Sequence, residues 1–191
     1  MPLILPYSFS TYKILGIDPG LNNTGISVFE IDYQTKNILA ITAFTLVNNR
    51  LPDYTGLDDE IYNERTIKLY KLKDAIKQVV ININPSAIAC ESPFYNRLCP
   101  MAYGALLETL NVMKSAVIEV NTNIPFTTVE PLLVKKTVGA GMTTGKLDMK
   151  DAISKNNIIM SVLSSDMNLL DEHSIDAIGV AYTYLKLSGV V

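Results

Sequence analysis

Cysteine is scarce in this 191-residue sequence, with two residues, Cys90 and Cys99. They form no Cys-x-x-Cys pair and are too few for a disulfide framework, so a reducing, intracellular and cytoplasmic setting is expected. Positive charge is also in short supply. Sixteen Lys and Arg stand against 19 Asp and Glu, a formal net charge of −3. That balance does not favour a nucleic-acid binder, so any basic surface has to be local. No apolar run is long enough to span a bilayer. The opening Met1-Pro2-Leu3-Ile4-Leu5-Pro6 has neither the basic stretch nor the apolar stretch of a secretory signal. Repeats and low-complexity tracts are absent. What remains is apolar: 48% of residues are hydrophobic, which excludes disorder. The length suits one domain with a sizeable core, placed at 12–191 after an extension over 1–11.

Three apolar runs open the chain. Residues 12–18 read as a strand buried on both faces, 24–31 as its hairpin partner, and 38–47 as a third strand after a polar turn. Residues 48–57 read as a loop. Ile61, Leu69, Leu72, Ile76, Val79, Val80 and Ile83 recur at helical spacing, which predicts a helix over 58–83. Asn84-Pro85 stops it. Residues 86–91 are a short apolar strand, and Pro100 opens a helix to about Val120. Residues 124–129 read as a fifth strand and 130–138 as a short helix. Helices over about 146–156 and 171–187 complete the chain. Hairpin strands followed by alternating helix and strand predict a mixed α/β sheet covered by helices.

Three acids stand at the edges of these apolar elements. Asp18 ends the first strand at Ile17-Asp18-Pro19-Gly20, where Pro and Gly force a turn. Glu91 ends the all-apolar strand Ala87-Ile88-Ala89-Cys90. Asp176 lies three residues after His173 near the start of the last helix, so both face the same way. A carboxylate at the end of a buried strand is costly unless something meets it. Taken singly, each has a plain structural reading: a turn residue for Asp18, an ion pair for Glu91, a surface helix start for His173, a loop hydrogen bond for Asp176. Brought together by folding, they would form an oxygen-rich cage with one imidazole. Such a donor set suits Mg²⁺ or Mn²⁺, and two ions about 4 Å apart assist phosphodiester hydrolysis.

Gly16-Ile17-Asp18-Pro19-Gly20, Glu91-x-x-Phe94 and His173-x-x-Asp176, in this order, resemble RuvC-type Holliday junction resolvases, a branch of the ribonuclease H-like superfamily. The wording from Ser92 to Arg97 is similar to viral members. The resemblance runs from about residue 12 to 187. It implies a ribonuclease H-like mixed five-stranded sheet, with three antiparallel hairpin strands followed by parallel ones. It implies structure-selective cleavage of four-way and other branched DNA by a homodimer, with two Mg²⁺ per site and Mn²⁺ as a substitute. Asp18, Glu91, His173 and Asp176 match the metal-binding and catalytic positions. His173 departs from the Asp that many members carry there.

Phe94 matches an aromatic that stacks on bases near the crossover, and Tyr95 and Arg97 beside it fit the same task. Packing under a loop is the alternative. Lys135 and Lys146, in a stretch of glycine and threonine, match positions that contact phosphates, and Lys136 beside them is expected to bind DNA too; a solvated loop is the alternative. This stretch is no Walker A loop, because Ala140 and Leu147 stand where glycine and Ser or Thr are needed. No nucleotide cofactor and no membrane are expected. An actin-like ATPase needs about twice this length. A ribonuclease H acting on RNA–DNA hybrids and a non-catalytic binder of branched DNA are the remaining rival readings.

Overall fold

A computed structural model describes residues 11–58, 60–95, 100–141 and 147–190. Strands β1 (Thr11–Asp18), β2 (Asn23–Asp32) and β3 (Ile38–Val47) form an antiparallel meander. Strand β4 (Ala87–Glu91) then runs parallel to β1, and β5 (Phe126–Val129) parallel to β4. The sheet order is β3-β2-β1-β4-β5, so β1 is central, as expected of the ribonuclease H-like arrangement. A parallel neighbour cannot be reached by a tight turn. Two helices make the connections: α1 (Glu64–Ile83) leads into β4, and α2 (Pro100–Val120) into β5.

Successive side chains of a strand point to opposite faces, and β1 uses both. Leu15 and Ile17 pack with Leu72, Ile76 and Val80 of α1 and with Leu110, Met113 and Val117 of α2. Ile14 faces the second core. There, helices α3 (Pro131–Val138), α4 (Leu147–Ser154), α5 (Asn157–Met160) and α6 (Glu172–Leu187) cover the sheet. Helix α6 lies flush against the strands because two glycines let it. A Cβ on Gly16 would strike the Ala177 carbonyl, and one on Gly25 would overlap the His173 carbonyl. Ser27 Oγ donates to Ala177 O at 2.8 Å from the strand beside Gly16. Among the described residues no helix is long and apolar enough to cross a membrane.

Several boundaries differ from the sequence reading. Helix α1 begins at Glu64 and not at residue 58, because Asn63 caps it by accepting from Thr66 N at 2.9 Å. Ile61 therefore lies outside the helix and is exposed, and is no part of its apolar face. The C-terminal end is where Asn84 suggested: it adopts the left-handed conformation (φ 50°) that closes a helix. Strand β5 is shorter than 124–129. The helix expected over 146–156 is α4, Leu147–Ser154; the short α5 that follows was not anticipated, and it starts where the Asn156 side chain accepts from Ile158 N and Ile159 N.

Candidate active site

The three acids meet at one end of the sheet. The pairing of β1 with β4 brings Ile17 opposite Cys90, so the next residues, Asp18 and Glu91, leave the two central parallel strands side by side. Ligands of α/β sheets collect at this carboxyl end. Helix α6 supplies the rest. Its close seat on Gly25, the sheet partner of Asp18, brings the first turn over the acid. His173 Nδ1 lies 2.8 Å from Asp18 Oδ2, while Nε2 is 3.6 Å from Glu172 Oε1. Asp176 comes one turn further along the helix.

The electrostatics register this crowding. Burial pushes the Glu91 carboxyl up to about 8, and the negative charges of Asp18 and then Asp176 add to it. Asp176 is raised to about 6, by burial and then by Asp18. Lys135 opposes both shifts, so its ammonium group is within electrostatic reach of both acids. The hydrogen bond to Asp18 raises the His173 pKa, against the opposing effect of burial. Cys90 is a core residue, whose thiol is pushed up by burial and then by Asp18 and Glu91.

Mutually repelling, half-buried carboxylates fit a divalent cation. Among the described residues, however, no three His, Cys, Asp or Glu side chains converge tightly enough to enclose an ion as they stand. Oδ2 of Asp18 is turned to His173. The donor chemistry fits a metal; drawing Asp18, Glu91 and Asp176 round one requires side-chain adjustment.

No family model matches the chain. The crossover junction endodeoxyribonuclease RuvC of Ehrlichia chaffeensis is 33% identical over 114 residues, 58% of this chain and 66% of that protein. The protein of the same name from Prochlorococcus marinus is 25% identical over 182 residues, 93% of this chain and 98% of its own length. Thermus thermophilus RuvC, solved in complex with a Holliday junction substrate, superposes with a TM-score of 0.62 at 18% identity, over 93% of this chain and 97% of that one. The chain is thus similar to RuvC along most of its length and shares the RuvC fold. The structure of the yeast mitochondrial Holliday junction resolvase shares the fold, with a TM-score of 0.62 at 9% identity over 95% of this chain and 82% of that one.

On this RuvC-like fold Phe94 and Tyr95 follow Glu91 out of β4 and stand exposed, 55% and 61%. Neither packs away under a loop, although Tyr95 makes an edge contact with Tyr103. The lysines separate. Lys135 is partly buried and close to the acids, whereas Lys136, one residue on, is exposed and shows no such coupling. Arg97 and Lys146 lie outside the described residues.

Sequence reasoning missed a clamp behind the acids. Asp171 caps α6, accepting from Ser174 N at 2.9 Å and Ser174 Oγ at 2.8 Å; Thr45 Oγ of β3 donates to the same oxygen at 2.6 Å. Gly25 pairs with Asp18 on one side and with Thr45 on the other, so the clamp and the first-strand acid share one rung of the sheet. The Asp171-x-x-Ser174 spacing is a helix-start signal that was available. Nothing in the sequence points to Thr45. A second tie holds the turn after Asp18: Asn48 N donates to Asn22 O at 2.8 Å, and its buried amide Nδ2 donates to Lys68 O of α1 at 2.9 Å.

Proposed function

We propose that this chain is a structure-selective endodeoxyribonuclease that resolves four-way and other branched DNA by paired phosphodiester hydrolysis. The observation that carries this reading is the meeting of Asp18, Glu91 and Asp176 at the carboxyl end of β1 and β4, in a RuvC-type fold. Enzymes of this type depend on divalent metal ions. Here Asp18, Glu91 and Asp176 would hold them, two Mg²⁺ or Mn²⁺ per site, with His173 as a further nitrogen donor or as the group that orients Asp18. The ions, when bound, supply a polarised water and neutralise charge on the phosphate.

The protein's own groups do the positioning. Lys135 offers a cation to the phosphate beside the acids. The exposed faces of Phe94 and Tyr95 accept bases that have lost their stacking partners at a crossover. Lys136, Arg97 and Lys146 extend the backbone contacts. Paired cuts call for two active sites related by a two-fold axis, hence a homodimer. Helix α2 supports this, because it buries Leu110, Met113 and Val117 in the core while leaving Met101 and Ile118 exposed. Cleavage leaves 5′-phosphate and 3′-hydroxyl ends.

The test is cleavage of a synthetic four-way junction against linear duplex and an RNA–DNA hybrid. Asp18→Asn serves as the control that binds without cutting. Faster hydrolysis of the hybrid than of the junction would move the chain to a ribonuclease H activity, and an Asp18→Asn protein that still cuts would remove the acids from the chemistry.

A further inference from the structure

Two strand exits enclose a hollow beside the acids. Strands β4 and β5 are in register at Glu91 and Val129, so the chain leaves both at the same level of the sheet. Beyond β4 come Pro93, Phe94 and Tyr95; beyond β5 come Glu130 and Pro131. With Lys135 from α3 these line a cavity of about 550 Å³, within the roughly 300–1,000 Å³ typical of small-ligand sites. Ser92, the residue after Glu91, is part of the wall, which places the cavity beside the acids. Lys135 lies on the same wall, and its charge also acts on Glu91 and Asp176. The hollow therefore adjoins the position of the phosphate under attack.

The lining is aromatic and apolar apart from Ser92 and its charged groups. Of these Glu130 is out of place. It occupies the N-cap position of α3, yet its side chain makes no capping hydrogen bond, and its carboxylate has no partner among the described residues. An unpaired carboxylate on a surface that must approach phosphates is repelled by them. Accepting hydrogen bonds from a base offsets that repulsion. An ionised carboxylate accepts and cannot donate, so it selects a base edge that carries an amino group. Among bases the N4 amino group of cytosine is the characteristic partner of Glu, whereas thymine presents a carbonyl oxygen at the same place.

We propose that this cavity receives the nucleobase next to the scissile phosphate, stacked on Phe94 or Tyr95, and that Glu130 selects cytosine there through its amino group. The proposal rests on the reading of the chain as a junction-cutting nuclease. Base-reading by Glu130 would give the enzyme a sequence preference at the cut in addition to its preference for branched structure. Extruding a base is least costly where stacking is already broken, as it is at a crossover.

Single-turnover cleavage tests this on four-way junctions that differ only at the nucleotides flanking the mapped cut, each side varied in turn. The varied base is cytosine, thymine, or 2-pyrimidinone, which is cytosine without its amino group. The wild type is expected to cut the cytosine junction about tenfold faster than the other two, on one side of the cut. Glu130→Gln, whose amide can also donate, should bring thymine level with cytosine. Glu130→Ala should level all three. Ratios of rates are compared, so a general change in DNA affinity on removing the charge does not enter. A wild type indifferent to the amino group, or the same cytosine-to-thymine ratio in all three proteins, overturns the proposal. A wild type that cuts none of these junctions defeats the underlying reading instead.

Discussion

Replacing Thr45 by valine removes one hydroxyl from β3 and keeps the side chain's shape. The lost contact is a 2.6 Å hydrogen bond to Asp171. Hydrogen bonds to charged groups are worth about 1.5–3 kcal/mol, and this exposed one belongs at or below the lower end, about 1 kcal/mol. Helix α6 keeps its cap, because Ser174 still donates twice to Asp171. The melting temperature should fall by about 2–4 °C.

Activity should fall further than stability, because Thr45 anchors the turn that carries His173 over Asp18. A displacement of about 1 Å can cost a hundredfold in rate; partial loosening should cost about five- to tenfold in kcat with KM for the junction unchanged. The pH dependence has a definite direction. Burial raises the Asp171 pKa, but the hydrogen bonds from Thr45 and Ser174 outweigh it and hold the carboxyl below its ordinary value. A depressed carboxylate stabilises the fold above its unfolded pKa, and that contribution is lost as the pH falls through the folded value. The stability gap between wild type and variant should therefore be full at neutral pH and close in acid. Thr45→Ser should restore both rate and melting temperature. A valine variant with wild-type kcat, or a serine variant as slow as valine, would refute the clamp.

Glu91, with its pKa raised to about 8, stabilises the metal-free protein below about pH 4.5 and loses that contribution as the pH rises through 8. In EDTA at pH 8.5, Glu91→Gln should melt several degrees above wild type, on the order of 1–3 kcal/mol; added Mg²⁺ should raise the wild type and leave the variant nearly unmoved. Equal melting curves in EDTA would show that the repulsion is relieved some other way. Lys135→Ala should weaken junction binding and flatten its salt dependence by about one unit of log–log slope or less, and Lys136→Ala by less still; equal slopes for the two would contradict the separation of these lysines. Phe94→Ala should slow cutting more than it weakens binding, with stacking worth about 1–3 kcal/mol. Fluorescence of 2-aminopurine beside the crossover would report it, and an unchanged signal would place Phe94 elsewhere.

The parts of this fold that could be read in advance are those governed by local rules. Strand β3 runs from Ile38 to Val47 and helix α2 from Pro100 to Val120, as apolar patterning and the N-terminal proline required. Where a short polar side chain set a helix start, pattern was not enough: Asn63 delays α1, and Asn156 starts the short α5 that apolar spacing did not announce. The acids were legible for a different reason. A charge ending a buried strand needs a partner, and Asp18 and Glu91 both carry that signature. Lys135 and Lys136 are equivalent on paper; about 100° of helix rotation between neighbours decides which one meets the acids. Thr45 and Asp171 lie 126 positions apart, and no local rule joins them.

The flush seat of α6 on Gly25 and Gly16 also sets when the site comes into being. Asp18 and Glu91 leave the ribosome early, but Asp176 and the His173 that turns onto Asp18 belong to the last helix. A nascent chain that has folded its sheet holds only two acids, side by side and repelling. On the proposed reading it lacks the third ligand with which to retain a metal. Chains grow at about 5–20 residues per second and fold from the N-terminus as they emerge, so for most of its synthesis the protein would be a scaffold without the proposed cutting centre. Any side chain at Gly25 would hold α6 away from the sheet and leave the finished protein in that same state. For a nuclease of the proposed kind, the contact between one glycine and one carbonyl would work as a safety catch released by completion of the fold.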